Sequence, residues 1–400
     1  MKENNLIKIE NRLFTNSLAA AYVLLFNFIN GAIGIEKISY VSLFFLLMIF
    51  LYNLKFKYAI ICRKEICIVI YILVVFLISF ICTCNAYMIK YFLSFCAFGV
   101  IAMLIGMQQI DILLTVKVIQ ILGIVGILIL CVRGFSQYNS SQLMGITYSM
   151  LPILLSAFIL MFYQSHYRLV SITNLLLILY IYASVAPRGI WLIILIFGIG
   201  CVYLLLTRAK KKYVKIFKFM LVIMILVVSI LIVKNLNQIL LGLNNFLIDR
   251  YEVKIYALEK YARYLKHGNV LNGRSELWEK AFQCISRSPF IGNGIGYYES
   301  VSEGIYAHNI VLQAICEGGL FFLIPIVYII VSGMLFLIIN THKYKDCMYR
   351  FILMTYVLGV IVLFFSSVYW IWIPFWFYLG FFMRGIKNTS KLYIEQKEKE

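Results

Sequence analysis

The chain has 400 residues, of which 63% are hydrophobic and 13% charged, with a mean hydropathy of +0.92. That is too little polar surface to cover a water-soluble domain, so composition alone points to an integral membrane protein. The formal net charge of +19 would suggest nucleic acid in a soluble protein; here topology accounts for it and no nucleic-acid partner is expected.

Apolar runs of about 17–25 residues are long enough to cross a bilayer as helices. About twelve such runs follow one another, at roughly 13–34, 37–54, 66–84, 88–107, 112–132, 146–164, 169–186, 189–207, 214–233, 308–339, 349–367 and 369–383. The expected fold class is therefore an all-α polytopic bundle. With both termini cytoplasmic, the largest basic cluster, RAKKKYVKIFK (208–218), falls inside. Lys37, Lys90, Arg133 and Arg188 fall in short outer loops, and the positive-inside bias fits this orientation. The polar first twelve residues lead into a long apolar segment, which reads as a first span rather than a cleaved signal peptide. The ten cysteines are scattered; the C-x-C of Cys82 and Cys84 has no second pair to complete a metal site or a disulfide framework.

Four regions follow: a bundle of about nine spans at 1–233, an outer helical loop at 234–307 between spans nine and ten, about three spans at 308–383, and a cytoplasmic tail at 384–400. Within the loop, YEVKIYALEKYARYL (251–265) and SELWEKAFQCISR (275–287) carry apolar residues at helical spacing. The second follows Asn272 and Gly273 and stops at Ser288-Pro289, where proline blocks continuation. FIGNGIGYYES then reads as a turn; its G-x-G-x-G lacks the preceding strand of a dinucleotide fingerprint.

Three polar anchors share the outer side. Arg188 follows "AP" at the mouth of the eighth span, Arg274 opens the second loop helix, and His308 opens the tenth span. An arginine at a span boundary ordinarily snorkels to the interface, but Arg188 sits against the charge bias. Each anchor lies at a predicted helix N-terminus, where free N–H groups and the dipole favour an anion. If the three ends converge, two guanidiniums and several N–H donors surround a phosphate or pyrophosphate. Asn309, Gln313 and Glu317 then continue at i, i+4, i+8 along one face of the tenth span. Glu317 is the only acidic residue inside any expected span, and a group at that depth should face a cavity or a partner.

These pieces, PRG at 187–189, NGRSELWEKAFQCISRSPFIGNGIG and AHNIVLQAICEGGLF, resemble the O-antigen polymerase and O-antigen ligase superfamily of bacterial membrane glycosyltransferases over roughly 184–320. The resemblance implies a GT-C-like fold and a multi-pass protein of the bacterial inner (plasma) membrane, with its active site on the periplasmic side. It also implies an inverting, metal-independent transfer from a glycan on undecaprenyl pyrophosphate, with Arg188 and Arg274 on the pyrophosphate and His308 activating the acceptor hydroxyl. Asn309, Gln313 and Glu317 would help bind pyrophosphate or glycan. No cofactor is expected, and the aspartates Asp111, Asp249 and Asp346 form no D-x-D for a metal-bound sugar nucleotide. Partners would be the lipid-linked donor, a glycan or lipid A–core acceptor, membrane lipids and other polysaccharide-assembly proteins. Ligases often carry an extra histidine before the His-Asn pair and an acidic residue in the last outer turn. Here Tyr306 and Ala307, and Ser366 and Ser367, stand in those places, which favours a polymerase over a ligase. A flippase would show related halves and midplane binding groups; no internal repeat is evident.

Overall fold

The computed structural model describes residues 2–33, 63–134, 140–163, 165–185, 188–208 and 274–390, with residues 48, 138, 220 and a few between 241 and 250. Where water is scarce, a segment must satisfy its own backbone N–H and C=O groups, and runs of Leu, Ile, Val and Phe do so as helices. The described residues are accordingly helical, with no strand among them. In chain order they form α1 (Lys2–Ile33), α2 (Arg63–Cys82), α3 (Ala86–Gly106, with a π turn at Phe95–Gly99), α4 (Ile112–Arg133), α5 (Ser140–Ser149) and α6 (Leu151–Tyr163). Then come α7 (Arg168–Val185), α8 (Arg188–Arg208), α9 (Arg274–Arg287), the short α10 (Tyr297–Val301), α11 (Ile310–Ile339), α12 (Asp346–Gly359) and α13 (Ile373–Gly380).

Among the described residues seven helices are long and apolar enough to cross a membrane, and Ile66–Ile81 and Arg168–Tyr182 are shorter apolar helices. All nine coincide with expected spans. The expected spans at 37–54 and 214–233, and the amphipathic pattern at 251–265, lie outside the described residues. Over the expected span at 369–383 lie α13 and the π turn Phe381–Gly385 that extends it, which are not among these nine.

The core is built by α1 against α4, α4 and α7 against α6, and α13 against both α12 and the second half of α3. The last crossing is close: a side chain at Gly380 or Gly106 would run into the backbone of Met103 or Phe377. Small residues allow such approach where apolar helices must gain their stability from packing rather than from escaping water. Helix α12 is almost wholly enclosed, whereas α11 leaves Phe321, Ile324, Tyr328 and Ile339 exposed. One end of the bundle carries the Arg208–Asp346 ion pair between α8 and α12. The opposite end gathers the starts of α8, α9 and α11.

Helix α11 departs from a simple span in two ways. It begins at Ile310, with Asn309 as its N-cap, and it is broken at Gly319 (φ 58°, ψ −152°). That backbone is accessible in practice only to glycine. The groups freed by the break are taken up by the glycine-rich loop after α9. Asn293 and Gly294 donate their N–H groups to the carbonyls of Cys316 (2.9 Å) and Glu317 (2.8 Å), while Leu320 and Phe321 donate to Pro289 (3.0 Å) and Phe290 (3.3 Å). Gly292 (φ 79°) lies so close to the Glu317 carbonyl that no Cβ fits between them. Asn293 adds side-chain bonds to the carbonyls of Cys284 (2.8 Å) and Cys316 (3.1 Å). The far side of the loop is held by the turn between α2 and α3, through Thr83 to the Asn293 carbonyl (3.0 Å) and Asn85 to that of Ile295 (3.1 Å).

A Gly319→Ala substitution meets both the forbidden backbone region and the Phe290 carbonyl. Backbone strain alone costs about 1–3 kcal/mol. Thermal unfolding of the detergent-solubilised protein should show a clear loss of stability, larger than that of alanine at Gly198, which has open space around it.

Candidate active site

The turn between α12 and α13 ends a helical run inside the bundle. After the 3-10 turn Ile361–Phe364, Ser367 takes a left-handed backbone (φ 70°) and the chain reverses. A carbonyl at such a helix end has no partner within its own helix. One of the three anchors supplies a donor to the Phe365 carbonyl. Arg274, the first residue of α9, donates from Nη2 at 3.0 Å, and the His308 ring lies beside the same carbonyl. The third anchor, Arg188, is the first residue of α8; the adjacent Gly189 lies against the Phe365 side chain and the Tyr148 hydroxyl. The three helix starts thus meet around one residue.

His308 adopts a left-handed backbone (φ 53°). It and Ser367 are two of the three described non-glycine residues with positive φ, and such strain of about 1–3 kcal/mol persists where the surroundings over-determine it. Those surroundings are visible. Asn309 caps α11 through the N–H groups of Val311 (2.9 Å) and Leu312 (3.3 Å). The Tyr306 ring packs on the imidazole at 4.1 Å between centroids, and its hydroxyl is 3.2 Å from Ser366 Oγ. Nδ1 of His308 is buried and unpartnered. Burial, reinforced by the Arg274 charge and partly offset by the Phe365 carbonyl, lowers the imidazole to about 4. The ring is neutral at pH 7, a base set beside Arg274.

Gln313 and Glu317 do share a face with Asn309. Their polar atoms are already engaged: Gln313 Nε2 donates to Glu317 Oε1 (2.6 Å) and to Glu299 Oε1 (2.9 Å), and its Oε1 accepts the Ala307 N–H (3.2 Å). Glu317 Oε2 accepts from Trp370 Nε1 (2.8 Å) and from the Tyr369 hydroxyl. All of these side chains are buried. The partners of Glu317 are thus an amide, an indole and a phenol, not an arginine.

Three participants escaped the sequence reading. Glu299 lies in a five-residue helix too short for periodicity to mark it, and its burial depends on the packing of α10 against α3 and α11. Tyr148 looks like any aromatic within an apolar run. The Phe365 carbonyl is a backbone group and leaves no signature in residue types. On α9, the face expected from spacing is largely right, with Ala281 and Cys284 buried and Leu277, Trp278 and Ile285 partly so, but Phe282 points outward.

Several apolar helices long enough to span a bilayer define a multi-pass membrane protein, with Arg274, His308 and the start of α8 gathered at one end. Residues 172–327 match the family model described as O-Antigen ligase, so the resemblance to the O-antigen polymerase and ligase superfamily is shown over that stretch, which contains Arg188, Arg274 and His308. No curated protein and no solved structure matches the chain.

The lowered His308 value has a direct test. Diethyl pyrocarbonate acylates only neutral imidazole, so its reaction with His308, followed by peptide mass spectrometry, should persist to acid pH with a midpoint near 4. An unperturbed histidine would give about 6.5. Because the folded value is the lower one, protonation favours the unfolded chain, and this residue's contribution makes stability rise with pH between those two values.

Proposed function

We propose that the protein is a polymerase of O-antigen or a related surface polysaccharide. It transfers a glycan from undecaprenyl pyrophosphate to a sugar hydroxyl of another lipid-linked repeat unit. The observation that carries this reading is the meeting of Arg274, His308 and the start of α8 at Phe365. Nδ1 of His308 takes the proton of the acceptor hydroxyl, and the freed oxygen attacks the anomeric carbon. The bond from that carbon to the pyrophosphate breaks, its electron pair leaving with the phosphate. Arg274 and Arg188, at helix starts, stabilise that developing charge, so the step needs no metal. Attack opposite the leaving group inverts the anomeric centre.

In this reading the chain has about twelve spans with both termini cytoplasmic. Regions 1–233, 234–307, 308–383 and 384–400 are the first bundle, the outer loop, the last spans and the tail. The site faces the periplasm of a bacterial inner membrane, with the outer leaflet supplying the donor. Asn309, Gln313 and Glu317 border the glycan path and hold its wall. The Tyr306–Ser366 contact fills the positions where ligases often have a histidine and an acid, which supports the polymerase. The second reading, a ligase that moves the glycan to lipid A–core, is favoured by the printed description of the matching family. A flippase is less well supported, since the three anchors stand at helix starts at one end of the bundle rather than at midplane.

Deleting the gene and running surface glycan on gels separates the three. A single repeat unit on core means a polymerase, bare core with intact polymer elsewhere means a ligase, and retained lipid-linked repeat alone means a flippase. In the complemented strain, Arg274→Ala or His308→Ala should reduce transfer by about 10²-fold or more, with protein still present in the membrane. Full transfer by either variant sinks the site assignment.

A further inference from the structure

The expected site does not use Glu299, yet this carboxyl is buried and placed at the centre of the network behind His308. Its Oε1 accepts from the Tyr91 hydroxyl (2.8 Å) and from Gln313 Nε2 (2.9 Å), whereas its Oε2 is buried with no partner. Glu317 differs, receiving donors at both oxygens. A charge is tolerated in such a place only where donors surround it. The two acids thus differ in their donors, and burial raises Glu299 above the usual carboxylate range.

The orientation of the Gln313 amide follows from these neighbours. With its nitrogen toward two carboxyl groups, its oxygen is left to accept the N–H of Ala307. Turned over, it would set oxygen against both acids and nitrogen against an N–H. Ala307 is fully buried and immediately precedes the left-handed His308.

Resting on the proposed role of His308, we propose that Glu299 is a positioning residue of the active site: it orients the Gln313 amide, which grips the Ala307 N–H and holds His308 in the backbone conformation that sets its ring beside Phe365 and Arg274. The chain of contacts runs from α3 through α10 to α11 and on to the turn before α13.

The test pairs glycan transfer, measured in membranes that supply the strain's own lipid-linked glycan, with the diethyl pyrocarbonate midpoint of His308. Glu299→Ala should lower transfer about 10- to 100-fold, as small misplacements of a reacting group do, and move the midpoint from near 4 toward about 6.5. Glu299→Gln retains an oxygen that can accept from Tyr91 and Gln313, and should rescue both readouts. If the alanine variant does not accumulate in the membrane, Glu299→Asp, one methylene too short for both contacts, should shift the two readouts in the same direction. Wild-type transfer with an unmoved midpoint in the alanine or aspartate variant overturns the proposal. So does a glutamine variant as impaired as alanine, because the acid would then be required as an acid. Inactivity of His308→Ala beside an unaffected Glu299→Ala removes only the positioning role; full activity of His308→Ala removes the site itself.

Discussion

A carbonyl left over at a helix end inside an apolar bundle must find a donor, and the arrangement of this site follows from that requirement. An unpaired polar group in such surroundings costs about 1–3 kcal/mol. The Phe365 carbonyl is such a group; its donor is the guanidinium of Arg274, and the imidazole of His308 lies beside it. One backbone oxygen therefore draws together side chains separated in sequence. The same requirement applies at Gly319, where the freed carbonyls and N–H groups of α11 are satisfied by the loop after α9.

Burial has two different consequences in adjacent parts of this region. Around His308, loss of water and the nearby guanidinium favour the neutral ring, suited to accept a proton. Around Gln313, the same loss of water leaves two acids dependent on the donors that face them. The polar groups at the mouth of α11 are thus of two kinds: the unpartnered Nδ1 of His308, and those turned wholly toward one another.

Much of this was legible in the sequence. Apolar runs gave the helices, because a helix is the structure that satisfies its own backbone in lipid, and Ser288-Pro289 marked the end of α9. The three anchors were legible as helix starts with basic or imidazole side chains, and the spacing of Asn309, Gln313 and Glu317 correctly put them on one face. What could not be read depends on contacts across long separations. Glycine at 319 is one of two adjacent glycines in a long apolar run, and only the docking of residues 289–294 distinguishes it as a break. Glu299 has no pattern to announce that Tyr91, some two hundred residues earlier, will donate to it.

The broken helix also sets the mechanics of the site. Helix α9 carries Arg274 at its start, the first half of α11 carries His308 at its start, and the loop at 288–296 ties their far ends together through four backbone bonds and the Asn293 amide. With Phe365 bridging the near ends, the outline closes into a braced frame, a truss whose two open joints are the cation and the base. The spacing between Arg274 and His308 is then a property of the frame, not of either helix alone.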